Sequence, residues 1–329
     1  MSTRLEIVCP AGTPAALEAA VAAGADAVYF GFRDETNARN FPGLNFSPEE
    51  AGDAVRRCHD AGVKALIAVN TYVRAGNPEP WQRAVARAVE IGADAVILAD
   101  LGLAIWAHRQ FPQQRLHLSV QASAANPLAI EYFAARTGVR RVVLPRVLTI
   151  ERIRELTAAV TVETEVFVFG GLCVMAEGRC ILSSYVTGRS PNMNGVCSPA
   201  EQVRYERDGE VLTTRLATIT VNRVSRDEPA GYPTLCKGRY VACGRPSYLF
   251  EEPASLSALT MLRELRQAGV TAIKIEGRQR GRAYVARVVG AIRRAVDALA
   301  RGEELPEEEL AALMEGGRST AGAYDRRWR

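Results

Sequence analysis

The sequence predicts an α/β fold: a TIM-type (β/α)8 barrel with an insertion that carries four cysteines after strand 7. Short apolar segments alternate with helical segments of roughly ten to fifteen residues, which is typical of parallel βαβ units. The alternation occurs eight times, the count of a closed βα barrel. A doubly wound open sheet is the alternative, although no G-x-G-x-x-G motif follows the first strand.

The predicted barrel strands are short and rich in Val, Ile, Leu and Ala, as expected for a parallel sheet covered on both faces. They are Leu5–Cys9, Ala27–Gly31, Lys64–Asn70, Ala95–Asp100, Leu116–Gln121, Arg141–Arg146, Val162–Gly170 and Thr271–Gly277. Active sites of βα barrels are built from the loops that follow the strands. The carboxyl ends of these segments are therefore the first places to look for a site.

Capping residues set the predicted helix boundaries. Ser47 precedes Pro48 and two glutamates, which predicts an N-cap with proline at the first helical position. A proline also opens the first helix, and Gly24 ends it. The predicted helices are Pro14–Gly24, Ser47–Ala61, Pro78–Gly92, Leu101–Phe111, Pro127–Thr137, Thr149–Ala159, Ser255–Ala268 and Tyr284–Arg301.

This pattern divides the chain into four parts. Residues 1–170 form the first seven βα units, and residues 255–303 supply the last unit and complete the barrel. Residues 171–254 form the cysteine-bearing insertion, where segments 201–206, 211–217 and 218–223 predict short strands of a small β subdomain. Residues 304–329 are predicted as a C-terminal helix and an arm.

Composition restricts the class of protein. Apolar residues make up 48% of the chain, which favours a folded core, and no apolar run approaches the ~20 residues of a membrane span. The amino terminus lacks the pattern of a signal peptide, so we expect a soluble, cytoplasmic protein whose cysteines stay reduced. The net charge of +4 is spread along the chain, so no nucleic-acid partner is expected.

Four cysteines form the strongest chemical signal in the chain. Cys173, Cys180, Cys197 and Cys236 are separated by 6, 16 and 38 residues, with no C-x-x-C pair. Structural zinc sites usually use such close pairs, whereas wider spacing suits a cluster in which each of four irons takes one thiolate. An iron–sulfur cluster, a zinc ion and unrelated free thiols all remain open on the residues alone.

The other three cysteines have weaker signals. Cys58 lies within a predicted helix and is expected to pack in the core, and Cys243 is a possible substitute ligand. Cys9 ends a strand and could either face a pocket or pack.

Polar residues follow several predicted strands and are expected to meet at one end of the barrel. Gln121, Arg146, Glu276 and Arg278 are the candidate catalytic residues, and Asn70 and Asp100 hold similar positions. Each of them singly could instead cap a helix or stabilise a loop, because strand-to-helix turns prefer such residues.

Other catalytic patterns are missing from the sequence. The chain has three histidines, none in an H-E-x-x-H spacing, and it has neither a G-x-S-x-G elbow nor a Walker loop. Peptidase activity through Cys173 or Cys180 is not favoured, because no histidine partner is evident.

Several stretches resemble the family historically labelled collagenase-like peptidases, and within it the branch of O2-independent ubiquinone biosynthesis. They include GADAVYFG, TNARNFPGLNFS (Thr36–Ser47), SVQASAAN (Ser119–Asn126), FGGLCVMAEGRCILSSYVTGRSPNMNGVCSPA (Phe169–Ala200), AGYPTLCKGRY (Ala230–Tyr240) and IKIEGRQR (Ile273–Arg280). The resemblance extends from the first strand to the last.

The resemblance implies a cofactor, a partner and a reaction. It implies that Cys173, Cys180, Cys197 and Cys236 bind a 4Fe–4S cluster. It implies a heterodimer with a paralogue, UbiV, and hydroxylation of a ubiquinone precursor at ring position C6 without O2. Sister branches hydroxylate RNA bases with prephenate as the proposed oxygen donor, and that donor is the expectation here.

Two arginines fit the implied donor. Since a guanidinium binds a carboxylate in a bidentate manner, Arg146 and Arg278 are hypothesised to pair with the carboxylates of a prephenate-like molecule. Two alternatives to the ubiquinone hydroxylase are an RNA-base hydroxylase and a non-enzymatic scaffold whose cluster only stabilises the insertion.

Overall fold

The computed structural model describes residues 4–228, 230–305 and 310–325. Eight parallel strands form its centre: β1 (Glu6–Pro10), β2 (Ala27–Phe30), β3 (Lys64–Val69), β4 (Ala95–Leu98), β5 (Leu116–Leu118), β6 (Arg141–Val143), β7 (Glu163–Gly171) and β14 (Ala272–Ile275). Each strand pairs with the next along the chain, and Ala272 of β14 pairs with Glu6 of β1 and with Glu165 of β7. The sheet is therefore closed, which confirms the predicted TIM-type (β/α)8 barrel.

Helices surround the barrel between successive strands. They are α1 (Pro14–Ala22), α2 (Pro48–Asp60), α3 (Glu79–Glu90), α4 (Leu101–Gln110), α5 (Pro127–Thr137), α6 (Ile150–Ala159), α9 (Leu262–Gln267) and α10 (Arg282–Arg301). The predicted cap at Ser47 is a reciprocal capping box, because Ser47 Oγ accepts from Glu50 N and Glu50 Oε2 accepts from Ser47 N. The capping signals in the sequence therefore placed this helix correctly.

Two kinds of side chain fill the barrel. One group is mainly apolar and comprises Val8, Ala27, Tyr29, Leu66, Ala68, Ala95, Ile97 and Ala272. The other is ionic: Glu165 is fully buried and lies 2.7 Å from Lys274 Nζ and 3.2 Å from Arg141 Nη1. Buried charges are tolerated when they are paired, so these contacts allow charged side chains inside the barrel.

The insertion between β7 and β14 contains its own small sheets. Strands β8 (Val203–Asp208), β9 (Val211–Leu216) and β10 (Ile219–Val224) form an antiparallel sheet close to the three predicted segments. Two short helices, α7 (Leu182–Thr187) and α8 (Pro191–Asn194), precede this sheet. A hairpin of β11 (Arg239–Ala242) and β12 (Arg245–Tyr248), which the sequence did not predict, follows it.

The prediction of one helix over Ser255–Ala268 is wrong for its first part. Ser255–Ser257 forms strand β13, and α9 begins only at Leu262. The reason is that β7 runs beyond its pairing with β14, which ends at Phe169, and the backbone of β13 pairs with β7 residues 169–171. The backbone hydrogen bonds that β13 makes with β7 favour a strand here over the helix that the local sequence pattern predicts.

Residues 310–325, the last that the structure describes, lie on the cysteine side of the barrel. They contain two 3-10 turns and strand β15 (Ser319–Thr320), which pairs with β13. They do not form the predicted α-helix, and part of that prediction falls on residues 306–309, outside the described residues. Among the helices that the structure describes, none is both long enough and apolar enough to cross a bilayer.

Candidate active site

The carboxyl ends of the barrel strands surround a cavity of about 40 Å³, which we call the mouth cavity. This is room for on the order of three water molecules. Its lining includes all four candidate residues from the sequence: Gln121, Arg146, Glu276 and Arg278. The remaining lining residues are Tyr29, Ala38, Arg39, Ala68, Asn70, Ile97, Ser119, Val120, Val143, Phe167 and Lys274.

Arg278 is a buried cation that faces this cavity. It is 5% exposed; its Nη1 donates to Asn37 Oδ1 at 2.5 Å, and its guanidinium lies 5.5 Å from the Tyr29 ring centroid. No carboxylate among the described residues forms an ion pair with it. Burial lowers the pKa of Arg278 to about 10, so the group is still charged at neutral pH. Arg278 therefore presents to the cavity a positive charge without a direct ion-pair partner among the described residues, although the Glu276 carboxylate in the same lining acts on it at longer range.

Gln121 offers the mouth cavity a hydrogen-bond acceptor, whereas Arg278 is a donor. It lies in a 3-10 turn after β5 and not on the strand itself, and its backbone carbonyl accepts from Tyr72 Oη at 2.5 Å. Gln121 is 8% exposed, and its Oε1 has no hydrogen-bond partner in the described part of the chain. An unpaired buried acceptor costs roughly 1–3 kcal/mol, which makes it a place for a donor group of a ligand or water.

Lys274 lies in the floor of the mouth cavity, and sequence reasoning did not select it. Its Nζ lies 2.7 Å from Glu165 Oε1 and 3.7 Å from the ring centroid of Tyr29. Burial lowers its pKa, and the Glu165 carboxylate partly offsets that shift. The signal was present in the sequence, since a lone lysine within the apolar strand AIKI requires a buried partner.

The Arg146 guanidinium is already paired within the protein, which the sequence did not indicate. Its Nε lies 2.6 Å from Glu177 Oε1, its Nη1 donates to the Gly171 carbonyl, and its guanidinium lies 4.0 Å from the Phe167 ring centroid. Burial acts to lower the pKa of Arg146, but the neighbouring Glu177 carboxylate more than compensates, so the pKa is raised. Because Glu177 already neutralises this guanidinium, the geometry does not favour the hypothesis that Arg146 binds a ligand carboxylate.

Glu276 is held at the end of β14 by the segment that leads to the cysteines. Its Oε2 accepts from Gly171 N at 3.0 Å, and its Oε1 lies 3.9 Å from Arg39 Nε. Burial acts to raise the pKa of Glu276, but Arg39, Arg146 and the Gly171 amide together lower it. Glu276 is therefore an ionised carboxylate at neutral pH and a weak candidate for a general acid.

Arg39 reaches the mouth cavity because buried asparagines fold its loop over the barrel. Asn37 Nδ2 donates to Phe32 O, and Asn37 Oδ1 accepts from the backbone N of Arg39. Asn45 Nδ2 donates to the carbonyl of Arg39, and Asn70 Oδ1 accepts from Ala38 N. This loop is the TNARNFPGLNF stretch, so the motif has a structural explanation even though Arg39 was not among the candidates.

Three of the four cysteines line a second, larger space above the first, which we call the thiol cavity. It has a volume of about 750 Å³, and Cys173, Cys197 and Cys236 contribute to its wall. Cys180 is not part of that wall. The structure thus places three of the four predicted ligands around one cavity.

The thiols are spread around the cavity. Burial raises the pKa of Cys173 to about 12 and that of Cys236 to about 11, so metal binding has to displace thiol protons. Among the described residues, no three side chains of His, Cys, Asp or Glu are grouped to hold a single metal ion.

Close backbone contacts fix the cysteine segment over the barrel. A Cβ on Gly178 would lie 1.9 Å from the Gln121 carbonyl oxygen, and one on Gly195 would lie 2.8 Å from the Ala38 carbonyl carbon. Asn192 Nδ2 donates to the carbonyl of Cys180 at 3.3 Å. The thiol cavity and the mouth cavity are consequently neighbours, and they share Arg39, Arg146 and Glu276 as lining residues.

The remaining candidates from the sequence lie elsewhere. Cys9 and Cys58 are fully buried in the outer core, and Cys243 is exposed in the turn of the β11–β12 hairpin. Asp100 caps α4, because its Oδ1 accepts from Leu103 N at 2.9 Å. Neither cavity is lined by a histidine among the described residues.

Comparison with known proteins gives the family. The family described as Peptidase family U32 matches residues 12–323. The chain belongs to peptidase family U32. The tRNA hydroxylation protein P of Escherichia coli (strain K12) is 33% identical over 94% of this chain and 72% of its own length.

Two further relatives show the range of names within the family. The 23S rRNA 5-hydroxycytidine synthase of Escherichia coli is 29% identical over 91% of this chain and 40% of its own length. The collagenase of Porphyromonas gingivalis is 27% identical over 95% of this chain and 72% of its own length. The U32 family therefore includes proteins named for RNA hydroxylation beside proteins named for proteolysis.

Proposed function

We propose that this U32 chain is the iron–sulfur subunit of an O2-independent hydroxylase, a UbiU-type protein of ubiquinone biosynthesis. In this proposal it acts in the cytoplasm as a heterodimer with its paralogue UbiV. The reaction is hydroxylation of a ubiquinone precursor at ring position C6, with prephenate as the oxygen donor. The observation that carries the proposal is the adjacency of the thiol cavity to a buried polar cavity at the barrel mouth.

The arrangement of thiols supports a 4Fe–4S cluster bound by Cys173, Cys180, Cys197 and Cys236. A tetrahedral zinc ion with Zn–S bonds of about 2.3 Å needs sulfurs about 3.8 Å apart. No three side chains of His, Cys, Asp or Glu among the described residues are grouped this closely, and a cluster whose four irons each take one thiolate does not require such close sulfurs. The thiol cavity of about 750 Å³, whose wall includes three of these cysteines, has room for the larger group.

The chain's own residues have distinct tasks in this proposal. Because the mouth cavity has room for about three water molecules, Arg278 and the unpaired Gln121 Oε1 bind and orient only the anionic end of the ligand and a hydrogen-bond donor next to it. The Arg146–Glu177 pair holds the cysteine segment above that ligand. A bound iron–sulfur cluster supplies one-electron redox chemistry beside the substrate.

An anaerobic assay tests the proposed reaction. The chain is purified without O2 together with UbiV and incubated with a ubiquinone precursor that lacks the C6 hydroxyl group, with and without prephenate. We expect the hydroxylated ring by mass spectrometry only when both subunits are present. Hydroxylation that requires O2, or none with an iron-loaded heterodimer, contradicts the proposal.

RNA-base hydroxylation is the second candidate, because two of the relatives carry names of RNA hydroxylation. Against it, the net charge of +4 is small for a protein that has to bind RNA. Nucleoside analysis of tRNA and rRNA from cells with and without the gene separates the two. A missing hydroxylated nucleoside together with an unchanged quinone profile favours the RNA reaction.

A further inference from the structure

A partition of three charged side chains separates the mouth cavity from the thiol cavity. Arg39, Arg146 and Glu276 line both spaces. The charge of Arg146 is neutralised by Glu177 at 2.6 Å, whereas the nearest ion-pair contact of Arg39 is Glu276 at 3.9 Å. Arg39 and Glu276 are therefore the two partition charges whose ion-pair contact, which they make with each other, is the longer one.

Arg39 is held directly against one cysteine-bearing segment. Its Nη1 donates to the Gly195 carbonyl at 3.2 Å and to the Ala38 carbonyl at 2.8 Å, and Gly195 lies two residues before Cys197. Gly195 can approach so closely because it has no side chain: a Cβ there would lie 2.8 Å from the Ala38 carbonyl carbon. The positive charge of Arg39 is thus fixed beside Cys197.

Glu276 is fixed beside another cysteine in the same way. Its Oε2 accepts from the Gly171 amide at 3.0 Å, two residues before Cys173. Glu276 also lines the thiol cavity together with Cys173 and Cys197. The cation Arg39 therefore anchors the segment before Cys197, and the anion Glu276 anchors the segment before Cys173.

We propose that Arg39 and Glu276 set the reduction potential of the cluster, Arg39 raising it and Glu276 lowering it. The inference rests on the proposed 4Fe–4S cluster at the four cysteines. An added electron makes a thiolate-bound cluster more negative, so a nearby cation stabilises the reduced state and a nearby anion destabilises it. The two residues that set the reduction potential therefore lie between the thiol cavity and the mouth cavity.

The test is an anaerobic redox titration of the iron-loaded protein, followed by the electron paramagnetic resonance signal of the reduced cluster. We expect Arg39→Gln to lower the midpoint potential and Glu276→Gln to raise it. Arg39→Lys keeps the charge and is expected to stay near the wild-type potential. Arg83→Gln is the matched control, because Arg83 is an exposed arginine on α3, which lies between β3 and β4 across the barrel from β7.

The possible results distinguish a failure of this inference from a failure of the proposed 4Fe–4S cluster. Opposite shifts for Arg39→Gln and Glu276→Gln, with Arg83→Gln unshifted, support the pair's role. Loaded protein whose potential is unchanged in both variants overturns the role and leaves the cluster in place. A shift in Arg39→Lys as large as that in Arg39→Gln overturns it too, because loop geometry and not charge would then be responsible. Protein that binds no iron overturns both.

Discussion

Arg146 Nε lies 2.6 Å from Glu177 Oε1, and the two residues are 5% and 4% exposed. The pair joins the loop after β6 to the segment between Cys173 and Cys180. The Gly171 carbonyl and the Phe167 ring complete the environment of the guanidinium. A buried ion pair thus holds the first two predicted cluster ligands in place.

Glu177→Gln is expected to destabilise the protein strongly. Removing one partner of a buried pair typically costs roughly 3–5 kcal/mol, because the remaining charge stays buried and uncompensated. Urea unfolding measures the change, and the double variant Arg146→Met/Glu177→Met is expected to recover much of the loss. Additive effects of Arg146→Met and Glu177→Met, each also measured singly, would show that the residues do not act as a pair.

The contact between Gly178 and Gln121 gives a second prediction. Gly178→Ala places a Cβ 1.9 Å from a backbone oxygen at a φ of +82°, so the cysteine loop has to move away from the barrel. We expect a lower iron content per chain. Gly188→Ala is the matched control, because its φ is also positive but no atom lies within 4 Å. Equal iron contents in both variants would contradict the packing argument.

Arg278→Met is expected to weaken ligand binding without loss of stability. Hydrogen bonds to a charged group contribute roughly 1.5–3 kcal/mol, which corresponds to a loss of about ten- to a hundredfold in kcat/KM for hydroxylation. Stability is retained because the substitution removes a buried charge without an ion-pair partner, and Asn37 Oδ1 still accepts from Arg39 N. A folded variant with full hydroxylation excludes Arg278 from the site.

The ion pairs of Glu6 make the free energy of unfolding depend on pH under acidic conditions. Burial acts to raise the pKa of Glu6, but Arg141 and Lys64 together lower it to about 2. Since the folded-state pKa lies below the unfolded value near 4.5, the stabilisation is complete above pH 4.5 and is lost as pH falls towards 2. We expect Glu6→Gln to cost about 3 kcal/mol at pH 7 and progressively less below pH 4.5. A difference that does not change with pH would contradict the assignment.

The barrel could be predicted from the sequence because its pattern is local. Apolar strands followed by capped helices, as at Ser47 and Pro48, identify each unit without knowledge of its neighbours. Strand β13 was missed because its residues fit a helix locally, and only the protruding end of β7 makes a strand more stable. Tertiary pairing of this kind leaves no trace in local periodicity.

The site was predictable in part. Strand-end position identified Gln121, Arg146, Glu276 and Arg278, and all four line the mouth cavity. The same rule could not show that Arg146 is neutralised by Glu177, because that contact joins separate loops. Arg39 was missed since it lies within a long loop, where position relative to a strand carries no information.

Ligand substitution distinguishes a catalytic cluster from a structural one. Cys197→Ala is expected to lose iron and hydroxylation, whereas Cys243→Ala keeps both, because Cys243 is exposed in a hairpin turn and does not line the thiol cavity. An unchanged melting temperature in Cys197→Ala supports a chemical role. A collapsed melting transition supports a scaffold whose cluster stabilises the insertion.

Metal and sulfide analysis of the anaerobically purified chain tests the central claim most directly. The account predicts brown protein with about four irons and four sulfides per chain, as a single cluster on four thiolates requires. Colourless protein without iron, or protein that holds one zinc ion on the same cysteines, would contradict it.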